Sequence, residues 1–187
     1  MITLRPINPA EDAEALHAIF GSEVACRYLP DAAFKTLAET EAKLSEWLSL
    51  APDTDWAITA DDDEKAIGRV TIFEKDGGVW EVGIMTCPSV QGRGIAGAAL
   101  REAVDRLDRS HRPRRIEADI DPDNTPSLKL FERHGFRTEG ILRKRWKTHI
   151  GERDTVLLSL IDTDPRPWRR GQAQTLTSPQ SGATSPL

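Results

Sequence analysis

The distribution of apolar and polar positions along the chain predicts alternating strands and helices. Runs in which apolar residues alternate with polar ones, or stand together between glycine and proline, predict strands at residues 2–7, 56–59, 66–73, 79–87, 115–121, 136–146 and 154–161. Apolar spacings of three and four predict helices after Asn8, after Thr36, after a glycine-rich turn at residues 91–97, and after Thr125. Residues 21–34 show no clear period and predict a loop, with one turn of helix as the alternative. This order predicts an α/β fold with a mixed, mostly antiparallel central sheet and flanking helices.

Residues typical of helix ends support two of these helices. Thr36 and Glu39 have the spacing of a capping box, in which side chain and backbone exchange hydrogen bonds. Thr125, followed by Pro126, is the predicted N-cap of the last helix. His17 lies beside the apolar stripe of the first helix and is predicted to have a structural or exposed role. The buried stripe predicted for the second helix is Leu37, Leu44, Trp47 and Leu48.

The glycine-rich turn predicts an anion site. Pro88 ends the strand at residues 79–87, and residues 91–97 lead into the next helix. The first amide groups of a helix have no partner within the helix, and the helix dipole is positive at that end. A turn of this kind therefore favours a phosphate group.

Two cofactor classes fit the turn. Gly92, Gly94 and Gly97 satisfy the G-x-G-x-x-G pattern of dinucleotide-binding folds, and Asp119 stands where a ribose-binding acid belongs. However, four residues separate the strand from the first glycine, and antiparallel strands precede the motif. Too little chain follows for the second half of a dinucleotide fold, which leaves a nicotinamide- or flavin-dependent oxidoreductase as the weaker alternative.

Two motifs carry a family resemblance. Residues 88–96, Pro-Ser-Val-Gln-Gly-Arg-Gly-Ile-Ala, and residues 124–136, which run from Asn124 to Gly135 and Phe136, resemble the signatures of the GNAT acetyltransferase superfamily. The resemblance implies a GNAT fold with a βαβ cofactor-binding core over residues 1–161, and a CoA-dependent N-acyltransferase that uses acetyl-CoA without a metal. Residues 3–6, 139–143 and 153–154 look like the branch similar to ribosomal-protein N-terminal (alanine) acetyltransferases.

The resemblance also implies cofactor-binding positions. The pyrophosphate is expected on the amide groups of the glycine turn, and the pantetheine arm is expected beside the end of the preceding strand. Asn124 is expected to hydrogen-bond the arm, with a turn or capping role as its alternative. The residues concerned are Ile84, Met85, Thr86, Gln91, Gly92, Arg93, Gly94, Ile95, Ala96 and Asn124.

The chemistry requires a base, because an ammonium group must lose a proton before it can attack a thioester. Glu81 is the candidate, since it stands mid-strand among apolar neighbours; its alternative is an exposed strand carboxylate. Many members of the family have a tyrosine where this chain has Phe131, so Ser127, one helical turn earlier, is the candidate donor to the leaving thiolate. A solvated acidic face is predicted for Glu117, Asp119 and Asp121, with proton relay or amine binding as the alternative.

The sequence leaves three further questions open: the covalent route, a non-catalytic function and the class of acceptor. Cys87 could form a covalent acyl-cysteine, although no base accompanies it in the sequence. A non-catalytic acyl-CoA-binding module would also fit the missing tyrosine. The acceptor could be a protein N-terminus, a peptide or a small-molecule amine, bound between residues 21–34 and 143–153. The basic residues Arg143, Lys144, Arg145 and Lys147 indicate an acceptor with acidic parts.

The composition of the chain narrows its possible classes of binding partner and its domain organisation. A net charge of -5 over 187 residues gives no general attraction to nucleic acid or anionic membranes. No apolar run approaches the roughly 18 residues of a membrane span, and the N-terminus does not resemble a signal peptide. Two cysteines are too few for a disulfide framework. We therefore expect a cytoplasmic monomer or homodimer. The polar tail at residues 162–187 is expected to be disordered, with Trp168 as a possible docking residue.

Overall fold

The computed structural model describes residues 1–60 and 63–169 of the chain. Its strands are β1 (Ile2–Pro6), β2 (Asp55–Ala60), β3 (Asp63–Asp76), β4 (Val79–Thr86), β5 (Arg115–Ile120), β6 (Arg137–Thr148) and β7 (Gly151–Ile161). Its helices are α1 (Pro9–Phe20), α2 (Glu23–Cys26), α3 (Leu37–Leu50), α4 (Ile95–Ser110) and α5 (Thr125–Arg133). Short 3₁₀ turns lie at Pro88–Val90 and Pro167–Arg169. No helix in this part of the chain is long and apolar enough to cross a membrane.

Within the described residues the strands form one sheet in the order β1-β2-β3-β4-β5-β7-β6. Each neighbouring pair is antiparallel except β4 and β5, which are joined through α4 and run parallel. Gly77 and Gly78 both have positive φ in the tight turn between β3 and β4. The predicted mixed, mostly antiparallel α/β sheet is confirmed, as is the strand–helix–strand crossover at β4 and β5.

The parallel pairing of β4 with β5 stops early. The first three residues of β4 pair with the first three of β5, and Glu81 opposite Glu117 is the last pair. Beyond it β4 continues for five residues and β5 for three. Each strand stays paired on its other side, β4 with β3 and β5 with β7. The sheet therefore splits beyond Glu81, and we call the gap between residues 82–86 and residues 118–120 the fork.

Helices cover both faces of the sheet. On one face α4 buries Leu100, Val104 and Leu107 in a cluster with residues of β2 to β5 and β7. On the other face α1 and α3 bury a second cluster that includes Leu16 and Leu44. These helices pack against the sheet on both sides, so the fork lies within the packed core of the domain.

The first turn of α3 follows the prediction at its cap but not in its buried stripe. Thr36 and Glu39 form the predicted capping box. Leu37, predicted to be buried, is 44% exposed. The buried position of this turn is taken by Thr40, whose hydroxyl lies 2.7 Å from Nδ1 of His17 on α1. This hydrogen bond gives His17 a structural role, one of the two alternatives predicted for it.

Residues 162–169 pack against α4. The Arg166 guanidinium is buried and donates to Asp108 at 3.2 Å. Trp168 donates its indole N–H to Asp105 at 3.1 Å and contacts the main apolar cluster, as predicted. Residues 170–187 of the predicted tail lie outside the described residues, and the domain boundary after residue 161 stays a prediction.

Candidate active site

The glycine turn adopts a backbone that only glycine accepts easily. Gly92 and Gly94 have φ of 74° and 77°, in the left-handed region. An added Cβ at either position would meet no heavy atom within 4 Å, so the space in front of the turn is open. The first helical hydrogen bond of α4 runs from the Ala98 amide to the Gly94 carbonyl at 3.1 Å. The preceding amide groups of Ile95 and Ala96 therefore have no partner within the helix and are available to an anion.

Gly97, the third glycine of the motif, allows close packing against a neighbouring side chain. A Cβ on Gly97 would lie 2.9 Å from Cε1 of His134, which follows α5. His134 is itself buried, with Nδ1 2.7 Å from the Leu130 carbonyl. Gly97 therefore lets the imidazole of His134 approach α4 closely, and the G-x-G-x-x-G pattern combines a two-glycine turn with one packing position.

The remaining residues expected to bind the cofactor lie at the end of β4, in the turn that follows it, and at the start of α4. Ile84, Met85 and Thr86 form the half-buried end of β4. The Gln91 amide Nε2 donates to the Thr86 carbonyl at 3.4 Å, which ties the turn to the strand. Arg93 is exposed at the tip of the turn, whereas Ile95 is buried and anchors the start of α4.

Asn124 begins α5 close after the end of β5. It is the N-cap of α5, and its Oδ1 accepts the Ser127 amide at 3.3 Å. The prediction of Thr125 as the cap is therefore wrong, because the Asn124 side chain reaches the third amide of the helix and starts it one residue earlier. The cap uses only the carbonyl oxygen, so the amide Nδ2 of Asn124 stays available as a donor.

Glu81 lies at the apex of the fork in an ion-pair network. Its carboxylate is 16% exposed and 2.9 Å from Lys75 Nζ. The same ammonium lies 3.0 Å from the Glu117 carboxylate, which also accepts from Arg115 at 2.7 Å. Burial acts to raise the pKa of Glu117, but the hydrogen bonds from Arg115 and Lys75 outweigh it and hold the pKa below its ordinary value. Glu81 is thus a largely buried carboxylate with a defined cation partner.

A cavity of about 190 Å³ opens in front of Glu81. One wall comes from the loop after α2 and the other from the hairpin of β6 and β7. These are the two segments expected to bind the acceptor, and that role stays a prediction. The His149 amide donates to the Pro30 carbonyl at 3.1 Å and links the two walls. The lining residues are Tyr28, Leu29, Pro30, Glu81, Asp119, Asp121, Trp146, Thr148, Arg153, Asp154 and Thr155.

The sequence did not single out Tyr28, Trp146 or Thr155 as site residues. Tyr28 is the only tyrosine of the chain, and its hydroxyl donates to the Asp123 carbonyl at 3.2 Å. It comes from a loop without periodicity, so only the tertiary contact of that loop with residues after β5 reveals its position. Trp146 and Thr155 both bind one carboxylate, that of Asp119.

The acidic residues of β5 form paired groups within the protein. Asp119, 6% exposed, accepts from the Trp146 indole at 2.8 Å and from the Thr155 hydroxyl. Asp121, also 6% exposed, accepts two bonds from Arg153 at 2.7 and 2.8 Å, and these hydrogen bonds hold its pKa below the ordinary value. The predicted solvated acidic face is therefore wrong, because the β6–β7 hairpin covers it. Asp119 is engaged in the same way, which removes the basis for a ribose-binding role.

Two of the four basic residues in the hairpin are paired within the chain. Lys144 Nζ lies 2.7 Å from Glu152, and Arg145 Nε lies 3.6 Å from Asp119. Lys144 also has a positive φ of 51°, with its amide donating to Asp154 at 2.7 Å. Their charge is therefore already balanced in part, which weakens the argument for an acceptor with acidic parts.

Ser127 and Phe131 differ in their surroundings. Ser127 is half-buried in the first turn of α5. Phe131 is 2% exposed and packs edge-on against Phe136, with ring centroids 4.9 Å apart. Phe131 is thus a core residue, and of these two only Ser127 carries a hydroxyl.

Cys87 is poorly placed for a covalent mechanism. Its thiol is buried and lies 3.8 Å from the Ala15 carbonyl on α1, on the side of the second apolar cluster. Burial raises the pKa of this thiol, which disfavours the nucleophilic thiolate. Among residues 1–60 and 63–169, no group of three or more His, Cys, Asp or Glu side chains could hold a metal ion.

Comparisons with known proteins identify the family. The model of the acetyltransferase (GNAT) domain matches residues 1–137. The uncharacterized N-acetyltransferase p20 of Bacillus licheniformis is 27% identical over 165 residues, which cover 86% of this chain and 92% of that protein. Ribosomal-protein-S5-alanine acetyltransferase from Vibrio fischeri shares the fold, with a TM-score of 0.73, 22% identity, and coverage of 89% of this chain and 96% of that one.

A second solved structure shares the fold as well. Spermidine N-acetyltransferase from Vibrio cholerae, in complex with CoA and spermine, has a TM-score of 0.71 and 20% identity, and covers 86% of this chain and 95% of that one. The family model spans well over half of the 187 residues. The chain therefore belongs to the GNAT acetyltransferase family and is an N-acetyltransferase.

Proposed function

We propose that this protein transfers the acetyl group of acetyl-CoA to a primary amine by direct attack in a ternary complex. The observation that supports the proposal best is the fork, which opens toward the glycine turn and has a largely buried carboxylate, Glu81, at its apex. The cavity in front of Glu81 offers a separate approach for the amine. A gap in the sheet and an acceptor cavity thus meet at one carboxylate, and the anion site follows the far end of the same strand.

The chain's residues fit acetyl-CoA as a substrate. Gly92 and Gly94 leave open space in front of amide groups that lack helical partners, which suits a pyrophosphate. Gln91, Ile95 and Ala96 would contribute to the same site, and Arg93 would add charge. In the fork, the main chain of Ile84, Met85 and Thr86 would hydrogen-bond the pantetheine amides, with Asn124 Nδ2 as a further donor.

Glu81 would act as the general base. The nitrogen lone pair of the neutral amine forms a bond to the thioester carbonyl carbon, the carbon–sulfur bond breaks, and the proton of the amine passes to the Glu81 carboxylate, directly or through water. The thiolate leaves with the electron pair of the broken bond and is protonated to the thiol. Ser127 would donate a hydrogen bond to the sulfur as its charge develops.

The cavity would receive only the reacting end of the acceptor. Its volume of about 190 Å³ is below the roughly 300–1,000 Å³ of typical small-molecule sites. A hydrogen bond from the His149 amide to the Pro30 carbonyl joins its two walls. An amine on a slender chain, whether a peptide N-terminus or a small molecule, fits these dimensions better than a bulky amine.

The experiment that tests this function is a turnover screen. The protein is given acetyl-CoA with peptides bearing a free N-terminus, with polyamines and with amino acids, and thiol release is measured. We expect amine-dependent thiol release with at least one class. Binding of acetyl-CoA without turnover of any amine would instead favour the non-catalytic binding module.

Replacement of Ser127 by alanine tests the thiolate donor. We expect kcat to fall by on the order of 10²-fold or less, with little change in acetyl-CoA affinity, because one preorganised donor is lost. Ser45→Ala is the matched control, since this helical serine donates to the Glu41 carbonyl on α3. Unchanged kcat in Ser127→Ala, under conditions where chemistry limits the rate, would leave solvent as the proton source.

A further inference from the structure

Two carboxylates meet at the apex of the fork and share one ammonium group. Glu81 and Glu117 are directly opposite each other in the last pair of β4 and β5. Lys75 Nζ lies 2.9 Å from one and 3.0 Å from the other. Neighbouring carboxylates repel each other, and the repulsion favours protonation of one of them. An ammonium between the two opposes that protonation.

Lys75 reaches this place from an irregular position in the sheet. In the β3–β4 ladder Glu74 is opposite Trp80 and Asp76 is opposite Val79, so Lys75 is an extra residue without a partner. Such a bulge bends and twists the strand locally and redirects a side chain. Here the side chain is 29% exposed and crosses β4 to reach β5.

The two carboxylates differ in the other groups that surround them. Glu117 is bonded by Arg115 as well, whose guanidinium also contacts Glu139. Glu81 faces the cavity, and Lys75 is its cation partner. The other charged groups that line the cavity with Glu81 are Asp119, Asp121, Arg153 and Asp154, and Arg145 pairs with Asp119. Arg115 thus stabilises the negative charge of Glu117. The ammonium group of Lys75 is the cation that stabilises the negative charge of Glu81.

We infer that Lys75 is a positioning residue for the acetyl transfer. It holds the Glu81 carboxylate at the apex of the fork beside that of Glu117, where Glu81 would accept the proton of the amine. Lys75 does not touch the reacting atoms and acts through Glu81. The inference rests on the proposed function, in which Glu81 is the base.

The split between kcat and acetyl-CoA affinity tests this role. Loss of the ammonium in Lys75→Met leaves two neighbouring carboxylates without their shared cation, so Glu81 loses its fixed place at the apex. We expect kcat to fall by about tenfold to a hundredfold with acetyl-CoA affinity nearly unchanged, since misplacement of a reacting group slows the chemical step. Lys75→Arg keeps the cation and should restore most of kcat.

The controls separate this inference from the proposed function. Lys43→Met removes a surface lysine paired with Glu46 on α3 and should leave kcat unchanged. Glu81→Gln should slow turnover by about 10²–10⁴-fold; if it does not, Glu81 is not the base and the proposed mechanism fails. If Glu81→Gln is slow but Lys75→Met and Lys75→Gln keep the wild-type kcat, with thermal stability and acetyl-CoA affinity retained, the inference about Lys75 alone is overturned. Lys75→Gln provides the same test if the methionine variant does not fold.

Discussion

Replacement of Gly94 by glutamate is expected to abolish binding of CoA and acetyl-CoA. The space in front of Gly94 is open, so the new side chain enters the place proposed for the pyrophosphate and brings a negative charge there. We expect affinity measured by calorimetry to fall more than about a hundredfold, equivalent to about 2.7 kcal/mol.

Gly77→Glu is the matched control for this variant. Gly77 also has a positive φ, of 47°, and an added Cβ there meets nothing within 4 Å, but it lies in the β3–β4 turn. Both variants therefore carry similar backbone strain, on the order of 1 kcal/mol or slightly more. Only Gly94→Glu should lose CoA binding. Tight binding of NADH by the wild-type protein without binding of CoA would contradict the assignment of the turn.

Replacement of Glu81 by glutamine is expected to slow turnover by about 10²–10⁴-fold, the range for loss of a general acid or base. The amide has nearly the same shape but accepts no proton. Affinity for acetyl-CoA should be nearly unchanged, because the glycine turn and the fork main chain are left intact.

Steady-state kinetics across pH, together with acetyl-CoA titrations, check this expectation. Glu46→Gln is the control, because Glu46 also pairs with a lysine, Lys43, but on the solvent side of α3. An unaltered pH–rate profile in Glu81→Gln would return Glu81 to the role of a strand carboxylate that pairs with Lys75.

Features that depend on neighbours along the chain were predictable from the sequence. The order of strands and helices follows from periodicity, which records the faces that each element buries. The turn at Gly92 and Gly94 was visible because positive φ is a local demand that favours glycine. The same holds for the capping box of Thr36 and Glu39, which spans a single helical turn. For these features the interacting groups are a few residues apart.

Features that depend on distant segments were decided only by the tertiary structure. The acidic face of β5 looked solvated because its alternation is local, but Trp146 and Arg153 come from a hairpin about 30 residues further on and bury it. Tyr28 reaches the cavity from a loop whose sequence has no period.

The fork itself is a tertiary feature, because strand pairing depends on how two strands lie against different neighbours and not on the sequence of either strand alone. Lys75 likewise meets Glu81 and Glu117 through a bulge in β3 that periodicity did not indicate. Glu81 was a candidate base from its own strand. Its cation partner, Lys75, could not be predicted in this way. Ion pairs between strands depend on the register of the strands, and the register is fixed only when the whole sheet assembles.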